Sequence, residues 1–476
     1  MSHFQPPTAA RSRAIFRSRR ARISAALLAG MLVFAGCAAT EPKPSGAPTT
    51  SVNRVPVSLP QTVVGVQGQW VLDTLNRPQE VSPEEVASHF AQVMLDQAPA
   101  VDLAAILNGL RAQREWVPTI VQETSEVQMI VTMYGSSGPG VDMSIAVDGQ
   151  GLIHGLFFGQ ATETRTPATS WKELSQNIDA LPFDASLTVT RVGDDPGGVF
   201  DAHGDKVLPI GSIFKLYVLG AVVEAVASGE LSWDDTLTVT EGAKSLPPGE
   251  LQDAAEGTQV SVRDAAAKMI SLSDNTATDL LFNRVGRDAV TAAMKAMGHH
   301  DPALNTPFLN SREVSQLGWS GDKSLRERWE KGNRAERLDL LAALPGGPLN
   351  VPVENVTDAV WQYGLDWFAD PSDLVSAHTY LQEVAQTDAG APVRDILSLN
   401  PGAGLTLGDG WVYTAFKGGS APGELAGSWY LEDEKGDAYV VTIQGASENP
   451  QDLAATSLFF GNVEDAFALL AAESRG

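Results

Sequence analysis

Pro209-Ile210-Gly211-Ser212-Ile213-Phe214-Lys215 runs directly into the apolar stretch Leu216-Tyr217-Val218-Leu219-Gly220-Ala221-Val222-Val223. An unbroken apolar run after a Pro/Gly turn reads as the start of a buried helix. Ser212 falls in its first turn, and Lys215, three residues on, lies on the same face. The backbone N–H groups at that end have no intrahelical partner, and the helix dipole is positive there. A hydroxyl so placed has a proton acceptor beside it and donors ready for an oxyanion. Serine is also a common helix cap, so the pattern gains meaning only from the rest of the chain.

Downstream, Val262–Ile270 reads as a short buried helix with Ser273-Asp274-Asn275 at its C-terminal end, and Thr278–Val285 continues as another. Ser324–Leu344 has the look of one charged amphipathic helix, opened by the capping box Ser324-x-x-Glu327 and ended at Pro345-Gly346-Gly347-Pro348. Asp370-Pro371-Ser372-Asp373 is a capped start for a helix to about Ala385. Trp411–Ser420 reads as a strand closing in Lys417-Gly418-Gly419-Ser420. Gly427–Leu431 and Ala438–Gln444 are two more strands around the turn at residues 434–437. Leu187–Val192 alternates like a strand and leads to the turn Asp194-Asp195-Pro196-Gly197-Gly198. Leu453–Ala472 closes the chain as a helix. The expected arrangement is a sheet with its first strand beside the three late ones, flanked by helices, with the helical insert as a second lobe.

Before this lies a different pattern. Ser82-Pro83-Glu84-Glu85 is a capping box with proline at the first helical position. Val86, Phe90, Val93 and Met94 mark the stripe of one helix, and Val101–Leu110 is a second. Four β-type runs follow: Trp116–Val121, Val127–Met133, Val141–Val147 and Leu152–Phe158. Two helices and an antiparallel meander make an α+β unit. Asp142 is its one notable strand carboxylate, and it has no acidic partner to suggest chemistry. Thr164–Ser175 reads as a connector.

Composition narrows the function. The 476 residues hold 43% apolar and 19% charged side chains, a folded composition. Six arginines and no acids precede the short apolar run Ile23–Phe34 and Ala35-Gly36-Cys37. The run is too short to span a bilayer and suits a signal peptide. Once it is removed, the net charge is about −31, which excludes a basic nucleic-acid groove. The single cysteine excludes an internal disulfide and a cysteine metal cluster. Seven scattered histidines without an HExxH pair give no support for a metal or other cofactor. Residues 38–62 are rich in Thr, Pro, Ser and Ala and read as a tether.

The ordered set Ser212-x-x-Lys215, Ser273-Asp274-Asn275 and Lys417-Gly418-Gly419-Ser420 resembles the signature of class A β-lactamases and penicillin-binding proteins. The resemblance covers roughly residues 180–476, with an insertion near 300–350. The helical-then-meander order resembles small ketosteroid-isomerase-like cones. Such a domain before a β-lactamase-like one resembles the two-domain family of clavulanic acid gene clusters, to which Thr306-Pro307-Phe308-Leu309-Asn310-Ser311-Arg312-Glu313 also points. Ala35-Gly36-Cys37 resembles a bacterial lipobox, which implies lipidation at Cys37. The expected layout is a signal peptide over 1–36, a lipidated tether over 37–65, an isomerase-like α+β domain over 66–165, and an α/β β-lactamase-like serine hydrolase domain over 166–476. The protein would then be anchored outside the cell membrane, with the membrane and a small β-lactam or ester substrate as its partners.

The chemistry matches the residue types. Serine is a poor nucleophile until a base stands beside it. Lys215 can serve if burial and the nearby Lys417 lower its pKa. Ser273 can pass a proton between the lysines and the leaving group. By resemblance, Asn275 would accept from Lys215 and donate to a substrate carbonyl, while Lys417, Gly418, Gly419 and Ser420 would line the substrate. The N–H groups of Ser212 and Ser420 would form the oxyanion hole. One departure stands out: the Glu-x-x-Leu-Asn loop that such β-lactamases use for deacylation has no counterpart, and Glu313 reads instead as a residue of a helix N-terminus. Three functions remain open at this stage: an acyl-enzyme-forming hydrolase of β-lactams or small esters, a true β-lactamase, and a lipoprotein that binds a cell-wall ligand or partner without turnover.

Overall fold

A computed structural model describes residues 56–474, apart from residues 96–97, 126, 137–139, 162–166, 194–195, 353–354, 401, 403–404, 406, 408–409 and 454–455. The expected signal peptide, Cys37, most of the expected tether, part of the connector and Asp194-Asp195 lie outside the described residues. Among the described residues no helix is long and apolar enough to cross a membrane.

The first folded stretch opens with α1 (Val63–Asn76), capped by Thr62 and carrying the buried stripe Val64, Val71, Leu72 and Leu75. It begins inside the stretch expected as tether, 37–65. Then come α2 (Pro83–His89), α3 (Gln92–Leu95) and α4 (Ala100–Leu110). The single helix expected through Met94 is broken. Phe90 adopts an extended conformation and bridges Ile153, and the Ala91 N–H donates to the Ile153 carbonyl at 2.8 Å. Strand pairing with a distant residue overrides the local helical period there. Strands β1 (Val117–Ser125), β2 (Gln128–Tyr134), β3 (Val141–Val147) and β4 (Ile153–Gln160) form an antiparallel meander in sequence order. Val71, Leu75, Leu107 and Trp116 pack with Val131, Met143 and Ile145 in its core. Asp142 accepts a hydrogen bond from Thr132 Oγ1.

The second stretch begins with α5 (Trp171–Asp179), β5 (Asp184–Val192), β6 (Gly197–Ala202) and the short β7 (Leu208–Pro209). A 3-10 turn, Gly211–Phe214, leads into α6 (Lys215–Ala227). A small ribbon, β8 (Thr236–Thr238) with β9 (Gln259–Ser261), precedes α7 (Val262–Ser271), α8 (Asn275–Val285), α9 (Arg287–Ala296) and α10 (Ser311–Trp319). The one helix expected over 324–344 is two, α11 (Ser324–Lys331) and α12 (Arg334–Ala342). Ser324 is not a cap, because its hydroxyl bonds Asp322. Asn333 starts the second helix instead, in a capping box with Glu336. The chain then runs through β10 (Phe368–Ala369), α13 (Pro371–Val384), α14 (Val393–Ser398), β11 (Trp411–Ala421), β12 (Glu424–Asp433), β13 (Ala438–Ala446) and α15 (Thr456–Ser474).

The main sheet is antiparallel throughout, in the order β11-β12-β13-β5-β6. The N-terminal strand does stand beside the late ones, as the pattern of strands implies. Successive residues of a strand face opposite sides. Trp429 and Leu431 pack with Phe459, Val463 and Phe467 of α15, while Ala426 and Tyr430 belong to the core around α6. Each fully buried large side chain contributes about 1.5–3 kcal/mol. α6 is buried from Leu216 to Val223, so its N-terminal turn is held in a fixed place at the end of β11.

Candidate active site

The turn around Ser212 is fixed before α6 begins. β7 pairs with β10, the Ile210 N–H donates to the Trp367 carbonyl at 2.8 Å, and the Gly211 N–H donates to Asp366 Oδ1 at 3.0 Å. The rings of Phe214 and Trp367 stack 3.6 Å apart. Ser212 therefore leaves a clamped extended segment into a tight turn, with its side chain half-buried.

Lys215 is fully buried. Its Nζ lies 2.6 Å from the Ser273 carbonyl, 3.0 Å from Ser273 Oγ and 2.7 Å from Asn275 Oδ1. Burial, and then the charge of Lys417, pull its pKa well below the usual lysine range. Nζ donates to the two carbonyl-type oxygens and to the Ser273 hydroxyl oxygen. Lys417 Nζ lies 3.0 Å from the same Ser273 Oγ and 2.7 Å from the Gly418 carbonyl, and burial lowers its pKa to about 7. One hydroxyl thus joins two buried lysines whose pKa values are both lowered by their burial.

Ser273 holds this place in a left-handed conformation, φ 56°, which costs a non-glycine residue energy. Its neighbour Asp274 supplies the restraint. The buried Asp274 carboxylate caps α8 through the Ala277 N–H and accepts from the N–H groups of Glu250 and Leu251 at 2.7 and 3.0 Å.

Backbone approach does the rest. A Cβ on Gly419 would overlap the Ile210 carbonyl and lie 2.8 Å from the Ser212 nitrogen. Gly211, at φ 47°, has no room for a side chain either, since its Cβ would lie 2.9 Å from the Ser420 nitrogen. The two glycines bring the Ser212 and Ser420 N–H groups together at the end of β11.

Comparison with known proteins now bears on this geometry. Residues 170–337 match the family described as "Beta-lactamase enzyme family". The match to a beta-lactamase family domain thus spans about a third of the chain. Residues 59–153 match a second family, described as "ORF 12 gene product N-terminal". Beta-lactamase SME-1 of Serratia marcescens is 22% identical over 220 residues, spanning 41% of this chain and 72% of that protein. Among solved structures, PBP-A is 18% identical over 66% of this chain and all of its own, with a TM-score of 0.46. A beta-lactamase from Sphaerobacter thermophilus is 21% identical over 64% of this chain and 98% of its own, also with a TM-score of 0.46.

The family match covers Ser212, Lys215 and Ser273 and ends before Lys417, which β11 brings to the Ser273 hydroxyl. Asn275 also has partners that the sequence did not show. Both amide hydrogens of Asn275 are committed, to the Leu246 carbonyl at 2.9 Å and the Pro247 carbonyl at 3.2 Å. Asn275 therefore orients Lys215 and ties down the 246–247 segment, and a substrate carbonyl would have to displace one of these bonds. Glu313 behaves as the sequence suggested. It completes a capping box with Asn310 and pairs in bidentate fashion with Arg287, at 2.6 and 3.1 Å. The backbone beside it is fixed on Asp279, whose buried carboxyl, pushed up to about 7, accepts from the Ser311 and Arg312 N–H groups.

Sequence reasoning missed five contributors: Asp274 as a loop clamp, the Leu246 and Pro247 carbonyls, Asp366 under Gly211, and Glu424. Only Asp274 carried a signal, as a helix-capping residue inside a motif. Among the described residues, His299, His300 and Asp373 form a group with metal-compatible spacing. Their bonds are structural ones. Asp373 accepts from the His300 N–H and the Asp370 N–H at the start of α13, and His299 Nε2 bonds the Phe368 carbonyl.

Proposed function

We propose that this protein is an active-site-serine hydrolase that forms an acyl-enzyme at Ser212, anchored by a lipid on Cys37 outside the cell membrane. The observation that carries the reading is the Lys215–Ser273–Lys417 chain of hydrogen bonds next to the Ser212 turn. Ser212 Oγ attacks the carbonyl carbon of a β-lactam or a small ester. Its proton passes to neutral Lys215, and the oxyanion is held by the N–H groups of Ser212 and Ser420. Collapse breaks the C–N or C–O bond, and the Ser273 hydroxyl protonates the leaving atom while taking a proton from a lysine. Water then releases the acyl group. Lys417 and the backbone of Gly418, Gly419 and Ser420 line the substrate's path along β11.

A fast β-lactamase is less well supported, because Glu313 is held by Arg287 and its own helix cap. Labelling with a fluorescent penicillin and a fluorescent fluorophosphonate tests the acylation reading. At least one should label the folded protein and leave a single adduct on Ser212 by intact mass. Ser212→Ala should remove it, and an unlabelled wild type would overturn the proposal. The burst and steady state with a chromogenic cephalosporin then separate a slow acyl-enzyme from rapid turnover. Membrane fractionation of wild type and Cys37→Ser tests the anchor.

A further inference from the structure

Two carboxyl groups that the acylation chemistry does not use lie beneath the meeting point of Gly211 and Ser420. Asp366 and Glu424 are 6% and 3% exposed. Asp366 Oδ1 accepts from the Gly211 N–H at 3.0 Å and the Trp367 N–H at 2.6 Å. Glu424 opens β12, opposite Ala421 and Ala446. Its Oε1 lies 2.7 Å from the point where a Gly211 side chain would begin, and the Ser420 nitrogen lies 2.9 Å from that same point. Among the described residues, neither Glu424 oxygen receives a hydrogen from an N–H or hydroxyl group. The charge that Glu424 faces is the Asp366 carboxyl, which is bonded to the same Gly211 turn.

Two carboxyl groups can hydrogen-bond each other only when one carries a proton. Burial raises the pKa of both carboxyls, Asp366 to about 6, but Asp366 accepts two N–H bonds that favour its charged form, so the shared proton belongs on Glu424. Burial and the charge of Asp366 act in the same direction, raising the Glu424 pKa. The titratable groups on neighbouring elements are engaged elsewhere. Lys215 and Lys417 point to Ser273. Arg337, which borders the same small cavity as Asp366, donates Nε to the Trp329 carbonyl and lies over the Trp329 ring. His299 bonds the Phe368 carbonyl.

We propose that Glu424 is a positioning residue for the oxyanion hole: its proton, shared with Asp366, holds the Gly211–Ser212 turn against Ser420. Loss of that proton leaves two adjacent carboxylates that repel, and the turn and the end of β11 move apart. Acylation therefore has an alkaline limit set beneath the site and not by the groups that contact the substrate. The inference rests on the reading of Ser212 as the acylated serine.

Two readouts on the full-length protein test it. Infrared difference spectra across a pH titration, without substrate, should show a protonated carboxyl band that is lost on the alkaline side and is missing in Glu424→Gln. Acylation by a neutral fluorophosphonate should fall at least about tenfold over the same pH range. Glu424→Ala should lower acylation roughly 10²-fold at every pH, the scale of one misplaced oxyanion donor. Glu424→Gln, which keeps a donor without a titrating proton, should recover most of the neutral-pH rate and lose the alkaline limit. If the band is never seen, or if Glu424→Gln follows the wild-type pH profile, the positioning role is overturned. A visible band with no labelling of Ser212 overturns the acylation reading instead, and the positioning role with it.

Discussion

Lys215 and Lys417 approach the same atom: each Nζ lies 3.0 Å from Ser273 Oγ. Two ammonium groups that close, both buried, would repel strongly. The site resolves this by holding the lysines in a low-pKa environment, where a single hydroxyl can take a proton from one side and give it to the other. Ser273 is the joint of the site, and its backbone is placed there at a cost.

That cost gives the first prediction. Glycine accepts φ 56° without penalty, whereas serine loses about 1 kcal/mol or somewhat more. Ser273→Gly should therefore unfold with unchanged or slightly higher stability in urea. Its acylation rate should nonetheless fall roughly 10²–10⁴-fold, the range for loss of a proton-transfer group. A large drop in stability would show that the hydroxyl serves mainly to hold the loop.

The second concerns Lys417. Its pKa is about 7 in the folded protein and about 10.4 when unfolded. Between these values the unfolded chain binds more protons, so wild-type stability rises with pH across that window. Lys417→Met removes the buried amine and that dependence. The variant should be more stable than wild type near neutrality by roughly 1–3 kcal/mol, after allowing for the lost bonds to Ser273 and Gly418. Its advantage should shrink toward pH 10, while acylation is largely lost. Chemical unfolding at several pH values checks the slope.

A third follows from the close approach of backbones at Gly419. A methyl group there meets the Ile210 carbonyl and the Ser212 nitrogen, neither of which is a flexible side chain. Gly419→Ala should cost about 1–3 kcal/mol in stability. It should also slow acylation roughly 10²–10³-fold through the displaced oxyanion donors. Gly197→Ala, at a glycine with open space around it, is the control and should change neither property.

The parts of this site that sequence could show are those that announce themselves locally. Ser212 and Lys215 lie three apart at the head of an apolar helix, Ser273 follows a helix end, and Lys417 precedes a glycine pair on a strand. What sequence could not show depends on where remote backbone falls. The direction of the Asn275 amide is decided by the Leu246 and Pro247 carbonyls. Asp366 and Glu424 are isolated acids in sequence and become neighbours only when the segment before β10 and the start of β12 both reach Gly211. The same holds for the fold, where the helix through Phe90 breaks because Ile153 offers it a strand partner.

The fate of the acyl group turns on Glu313, which occupies the region where a deacylating carboxylate is expected. Its carboxylate is committed twice, to the bidentate pair with Arg287 and to the Asn310 N–H at the head of α10. A group so held neutralises a cation and caps a helix, and both tasks are structural. Glu313→Gln keeps its size but loses the charge, so the ion pair and the interaction with the helix dipole should weaken by about 1–2 kcal/mol together. Chemical unfolding at neutral pH should show stability lower by that amount. The lifetime of the Ser212 acyl-enzyme, followed by intact mass after a penicillin pulse, should change less than about threefold, because the rate would depend on water reaching the ester without this carboxylate. A lifetime prolonged a hundredfold would instead make Glu313 the water-activating base and show that the Arg287 pair opens when the site is acylated.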